Sequence, residues 1–288
     1  RDVRVPRLHD AGEPCVVGIV RVCRKSFVRS LVLGDLHSNP WALEAVLAAA
    51  GTVDRVFCTG DLVDYGPAPR PCVEWAKRHA DRAVRGNHDH AVAQRVPAPG
   101  GGGLRAVAAQ ARARQWRDLP NELLRYLGRL PVSETFEIDG RRTLMVHGSP
   151  RDPLDDYAPA DAEAWTERLA GVTADLVLVG HTHTPYVLQA RRPDGGQTTV
   201  LNPGSVGQPR DGDPRAAYAI VEDGTPTLHR AAYDPEPAID GLKDCGLTEE
   251  SLLTAAALLR SGRRPLRSHG VLRGSSVAGP RRAMTGAS

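Results

Sequence analysis

Five short blocks of this chain carry residue types that bind hard divalent cations: Gly34-Asp35-Leu36-His37, Gly60-Asp61, Gly86-Asn87-His88-Asp89, His147-Gly148 and Gly180-His181-Thr182-His183. Asp35, His37, Asp61, Asn87, His147, His181 and His183 together offer carboxylate, amide and imidazole donors, with no thiolate. That set suits Mn, Fe, Co, Ni or Zn in a catalytic site and argues against a structural Cys-zinc knot. Two cations ~3.5–4 Å apart need a shared anionic ligand. Asp61, alone at the end of its apolar run and preceded by Gly60, is the best candidate for that bridge. Two divalent cations carry more positive charge than Asp35 and Asp61 return. The remaining positive pocket attracts a phosphate oxyanion and lowers the pKa of water there, so phosphate-ester hydrolysis is the chemistry expected.

Most of these blocks follow an apolar, β-branched run, which puts the donors just past strand ends. Leu31-Val32-Leu33 runs into Asp35, and residues 53–58 run into Thr59-Gly60-Asp61. Ala83-Val84-Arg85 delivers Asn87 and His88, and residues 176–179 deliver His181 and His183. Between the first runs lie helical segments: Ser38 or Asn39 caps one with Pro40 at its first position, and another covers residues 73–79. This alternation argues for parallel β-α units, whose ligands gather at the carboxyl ends of strands. Helices are expected over residues 104–116, 121–127 and 160–169, and Asp139-Gly140 marks a hairpin that delivers His147. Short strands at 186–190, 198–201, 216–221 and 227–231 read as an antiparallel second half.

Taken singly, each block has a plainer reading. Asp35 could cap a helix, Asp61 and Asn87 could be turn residues, His88 an exposed histidine and His147 a strand terminator. Five blocks together outweigh those readings. Asp64 and Asp89 read either as acids that orient an imidazole or as plain loop acids. Asn39, Tyr65 and Ser205 are candidates to touch substrate, with Tyr65 equally a packing residue; no substrate-binding residue is assigned. His9, His79, His90, His229 and His269 match no block and read as structural or exposed.

The motifs resemble those of the calcineurin-like metallophosphoesterase family. Asp35-x-His37, Gly60-Asp61-x-x-Asp64, Gly86-Asn87-His88-Asp89, His147 and Gly180-His181-x-His183 follow that family's order and spacing over roughly residues 30–205, and Asn202-Pro203-Gly204-Ser205 is similar to its small bacterial phosphodiesterase branch. The resemblance implies that Asp35, His37, Asp61 and His183 hold one metal and Asp61, Asn87, His147 and His181 a second, with Mn the expected ion. It implies attack by a metal-bridging hydroxide, with His88 as general acid and Asp89 orienting its imidazole. The implied fold is α/β: two mixed β-sheets packed as a sandwich flanked by helices, with the dimetal site at one rim. A phosphodiesterase is favoured. A phosphomonoesterase, protein phosphatase or dinucleoside polyphosphate hydrolase is the runner-up, because such members tend to carry Glu where this chain has Asp89. The competing class is a non-catalytic scaffold like the retromer subunit that resembles these enzymes; such proteins lose the His88 position or a ligand, and here all are present.

Composition narrows the remaining choices. With 288 residues, 41% hydrophobic and 25% charged, the chain is ordinary for a soluble globular protein. A net charge of +3 is too mild to argue for nucleic acid or an anionic membrane. Only three of the 37 basic residues are lysines, a bias that fits GC-rich coding. The five cysteines are odd in number and show no CxxC spacing, so a reducing cytoplasm is expected. The expected partner is a small phosphoester substrate, with no membrane and a homo-oligomer left open. Four segments are expected: an irregular extension at 1–28, the metallophosphoesterase domain at 29–234, a helical appendage at 235–262 and a disordered tail at 263–288.

Overall fold

The computed structural model describes residues 28–264, so the expectations for residues 1–27 and for the tail beyond 264 lie outside the described residues. The elements run β1 (Ser30–Leu33), α1 (Pro40–Ala50), β2 (Arg55–Cys58), α2 (Pro69–His79), β3 (Arg82–Ala83), α3 (Asn87–Ala93), α4 (Leu104–Asp118), α5 (Asn121–Arg129), β4 (Ser133–Ile138) and β5 (Arg141–Val146). They continue with α6 (Ala162–Arg168), β6 (Leu176–Leu178), β7 (Tyr186–Arg191), β8 (Gln197–Asn202), β9 (Ala216–Glu222), β10 (Thr225–Ala231), α7 (Glu236–Lys243) and α8 (Glu249–Ser261).

The strands form two five-stranded mixed sheets, ordered β10-β9-β1-β2-β3 and β4-β5-β6-β8-β7. In the first, β1, β2 and β3 are parallel, and β9 runs antiparallel to β1. In the second, β5, β6 and β8 are parallel, with antiparallel β4 and β7 at the edges. The expected fold class holds, but the second half of the chain is not one antiparallel sheet. The β7–β8 pair joins the second sheet and the β9–β10 pair the first. Each pair is antiparallel within itself, which is the part visible locally; which sheet it joins is a long-range choice.

Period-two alternation explains the sandwich. Along β1, Leu31 and Leu33 face the helices while Val32 faces the other sheet. Along β9, Tyr218 and Ile220 face the helices, and Ala219 and Val221 face inward. The inner layer joins these side chains to Ile138, Met145, Leu176, Leu178 and Leu201 of the second sheet. Both faces of β1 are buried, so its sequence is continuously apolar rather than alternating. Truncating Leu31, which is fully buried, would cost about 2–5 kcal/mol.

Local signals set the element ends. Asn39 Oδ1 accepts the amide of Ala42 at 3.2 Å and caps α1, with Pro40 at its first position. Asp139 and Gly140 both have positive φ, as a two-residue hairpin between β4 and β5 requires. Asp223 and Gly224 do the same between β9 and β10. The C-terminal helices α7 and α8 share an apolar cluster with Trp41, Tyr65 and Val107 of α4. Among the described residues no helix is long and apolar enough to cross a membrane.

Candidate metal centre

Two donor triads lie at the carboxyl ends of β1, β2, β5 and β6. Asp35, His37 and His183 form one, and Asp61, His147 and His181 the other; within each, the ligating atoms lie within 4.8 Å of one another. Asp61 Oδ2 stands between them, 3.1 Å from His147 Nε2 and 3.8 Å from His37 Nε2. Asp35 Oδ1 lies 3.1 Å from His183 Nε2. The loops that carry these groups are strained. Among the described residues, eight of the eleven non-glycine residues with positive φ are Asp35, His37, Ser38, Asp61, Asp64, Tyr65, His181 and His183. Each such residue costs on the order of 1–3 kcal/mol, and they persist where surrounding structure over-determines them. Two glycines admit the close approach: a Cβ at Gly86 would stand 2.1 Å from Asp61 Oδ1, and one at Gly180 would stand 2.8 Å from Asp35 Oδ2.

The hydrogen bonds define what the rings can still offer. His37 Nδ1 lies 2.8 Å from the Val63 carbonyl, His183 Nδ1 lies 2.6 Å from that of Gln208, and His147 Nδ1 lies 2.8 Å from that of Thr59. A carbonyl only accepts, so each Nδ1 donates. Burial keeps the His37 and His183 rings neutral, so their Nε2 atoms turn lone pairs inward, whereas at His147 burial is outweighed by Asp61, which holds that ring up to about 9. The Nε2 atoms of His37 and His183 then face each other at 3.0 Å. Asp35 Oδ1, Asp61 Oδ2 and Asn87 Oδ1 are buried without a hydrogen-bond partner. Leaving a buried acceptor unpaired costs about 1–3 kcal/mol, and facing acceptors repel. Hard divalent cations fit this donor set, since each lone pair would find a positive charge.

The charges follow the same geometry. Burial raises the Asp35 carboxyl above its ordinary range, against the opposing pull of His147. Burial would also raise Asp61, but His147 and His88 outweigh it and hold that carboxyl well below the usual carboxylate range. His37 is lowered by burial and then by His183.

His88 stands beside the triads rather than in them. Its amide donates to Asp61 Oδ1 at 2.9 Å, and its Nδ1 lies 2.6 Å from Asp64 Oδ2. The acid that orients this ring is therefore Asp64, and the expectation that Asp89 does so is corrected. Asp89 is fully buried and accepts the amides of Asp61, Leu62 and Gly86 at 2.8–3.0 Å. It ties the Asp61 loop to the first turn of α3, where Asn87 and His88 sit. The donors past the end of β3 thus open a helix, Asn87–Ala93, which the spacing of the sequence does not announce.

A family model for the calcineurin-like phosphoesterase superfamily domain matches residues 28–224. The chain belongs to that superfamily. A Methanocaldococcus jannaschii protein, uncharacterized protein MJ0912, is 31% identical over 226 residues, which is 73% of this chain and 89% of that one. The crystal structure of a metallophosphoesterase from Sphaerobacter thermophilus is 35% identical with a TM-score of 0.67, covering 81% of this chain and 99% of that one. The Pyrococcus horikoshii protein PH1004 shares the fold at 22% identity and a TM-score of 0.66, covering 83% of this chain and all of that one.

Within this superfamily chain, several side chains near the centre were not legible as a motif. Arg112 of α4 is only 5% exposed and donates through Nε and Nη2 to Asp64 Oδ2. Gln115, one turn on, accepts the Asp64 amide and donates to Ser38 and Gly66. Both belong to a helix that reads as ordinary polar surface, so no local signal singles them out. Asn39 and Ser205 prove to be scaffolding: Asn39 caps α1, and Ser205 Oγ donates to the Asp35 carbonyl. Tyr65 packs edge-on to the His37 ring, with centroids 4.8 Å apart. Tyr157 is half exposed, its ring 5.5 Å from that of His181. His79, His90 and His229 lie outside both triads.

Proposed function

We propose that this protein is a binuclear-metal phosphoesterase that hydrolyses small phosphodiesters. The observation that carries the reading is the position of Asp61 Oδ2, a buried, partnerless carboxylate oxygen between two donor triads. Asp35, His37, Asp61 and His183 would hold one divalent ion, and Asp61, Asn87, His147 and His181 the other, with Mn the favoured ion. Such a pair supplies Lewis-acid polarisation of a phosphoryl group and acidification of water.

His88 performs the proton step. Asp64 takes the Nδ1 hydrogen, which leaves Nε2 free toward the substrate. Burial disfavours the charged ring, but Asp61, Tyr65 and Asp64 outweigh it and hold the imidazole up to about 10. With Nδ1 held by Asp64, His88 would give the proton on Nε2 to the leaving oxygen as the phosphorus–oxygen bond breaks. The diester preference rests on Asp89 in the Asn87-His88-Asp89 run and on the Asn202-Pro203-Gly204-Ser205 turn. A cytoplasmic site of action belongs to the same proposal and rests on the cysteine usage.

The test is a metal-by-substrate matrix contrasting bis(4-nitrophenyl) phosphate with 4-nitrophenyl phosphate. Faster turnover of the diester with Mn²⁺ is expected. A protein that takes up two ions per chain yet hydrolyses neither ester would defeat the enzymatic reading, and faster monoester turnover would defeat the diester preference.

A further inference from the structure

A second charged group beside the centre has no carboxylate to answer it. Arg210 lies on the loop between β8 and β9, and its amide donates to the His183 carbonyl at 3.3 Å. Its guanidinium makes one hydrogen bond among the described residues, from Nη2 to the neutral amide oxygen of Gln208 at 2.6 Å. Its Nε is buried and partnerless. Arg112, Arg168 and Arg230 each reach a carboxylate (Asp64, Asp156 and Asp211), while the Arg85 guanidinium, whose Nε is likewise buried and partnerless, reaches only the Gly128 carbonyl among the described residues. A partly buried guanidinium with an unused donor is costly unless an anion arrives to meet it.

The surroundings place it one aromatic ring away from His37 and His88. The Arg210 guanidinium carbon lies 5.5 Å from the Tyr65 ring centroid, a cation–π arrangement. The Tyr65 ring is 4.8 Å from that of His37 and 4.9 Å from that of His88. The loop is also locked to the metal cradle. Gly207 donates its amide to the Asp35 carbonyl, Gln208 donates its amide to Ser205 Oγ, and the Gln208 carbonyl accepts from His183 Nδ1. Whatever fixes Asp35 and His183 therefore fixes the base of Arg210.

We propose that Arg210 is a phosphate-binding residue that takes a non-bridging phosphoryl oxygen of the substrate, with Tyr65 as the platform that holds its plane. This rests on the phosphoesterase reading for the substrate's identity, but not for the existence of the anion site. Arginine suits the task because its fork meets phosphate oxygens in a fixed plane.

The full chain, loaded with Mn²⁺, is titrated calorimetrically with inorganic phosphate as wild type, Arg210→Gln, Arg210→Lys and Gln208→Ala. Metal content and turnover of bis(4-nitrophenyl) phosphate are measured alongside. Arg210→Gln should keep its metal content, bind phosphate at least tenfold more weakly and lose about 10- to 100-fold in kcat/KM. Arg210→Lys should recover part of the phosphate affinity, and Gln208→Ala should fall between wild type and Arg210→Gln. Phosphate affinity within twofold of wild type at full metal content would overturn the assignment. So would metal loss in Arg210→Gln, since the residue would then merely support His183. A wild type that binds phosphate through Arg210 yet hydrolyses no ester would leave this site standing and sink only the enzymatic reading.

Discussion

The Nε2 atoms of His37 and His183 lie 3.0 Å apart although both rings have already given their Nδ1 hydrogens to backbone carbonyls. Two lone pairs held face to face in a buried site repel unless a cation lies between them. Metal binding should therefore stabilise the fold strongly. At a hundred times Kd the gain is about 2.7 kcal/mol, worth several degrees in Tm for a chain of this size. Titration calorimetry should find two sites per chain, and Asp61→Asn should lose at least one ion because the shared oxygen loses its charge. Full occupancy in that variant would contradict the bridging role.

His88 and Asp64 form the pair whose loss should separate catalysis from metal binding. His88→Ala is expected to retain about two ions per chain and to lose roughly 10²–10⁴-fold in kcat. Asp64→Asn should act through pH as well. Asp64 is one of the groups that hold the His88 imidazole above its ordinary value despite burial. Without that charge the ring gives up its proton at lower pH, so the basic limb of the kcat/KM profile should move downward. An unmoved limb would remove Asp64 from the proton step.

Asp89 should behave differently, because it holds backbone rather than an imidazole. In Asp89→Ala three buried amides, of Asp61, Leu62 and Gly86, lose their acceptor. A loss on the order of 3 kcal/mol or more in stability is expected, together with weaker metal binding. An Asp89→Ala variant that unfolds like wild type and keeps its metal would show that these three amides do not depend on Asp89.

A pH effect away from the centre comes from Asp156. The Arg168 guanidinium, then Ser149, hold its carboxyl below the ordinary range against the pull of burial. A carboxyl lowered on folding contributes stability above its unfolded value of about 3.9, and that contribution fades as pH falls through the lower folded value. Asp156→Asn should therefore cost about 1–2 kcal/mol at neutral pH, with the gap to wild type closing below about pH 4. A gap independent of pH in denaturant melts would mean that packing, not charge, ties Ser149 and Arg168 together.

What the sequence determined by itself was the donor inventory and its placement at strand ends. Both are local facts: apolar β-branched runs make the strands, and the donors lie within a few residues of them. The placement of Asp61 just past the end of β2 was also legible, because Gly60 precedes it there. The tertiary structure decided the partners. His88 is 24 residues from Asp64 and Asp64 is 48 from Arg112. Nothing in the spacing distinguishes Asp64 from the nearer Asp89, since both are acids within reach on different elements. The choice falls to packing, which buries Asp89 against three amides and sets α4 across the Asp64 loop. The same holds for the strands of the second half: hairpin chemistry pairs β7 with β8 and β9 with β10, but only burial of Ala219 and Val221 opposite Leu178 and Leu201 sends the two pairs to different sheets.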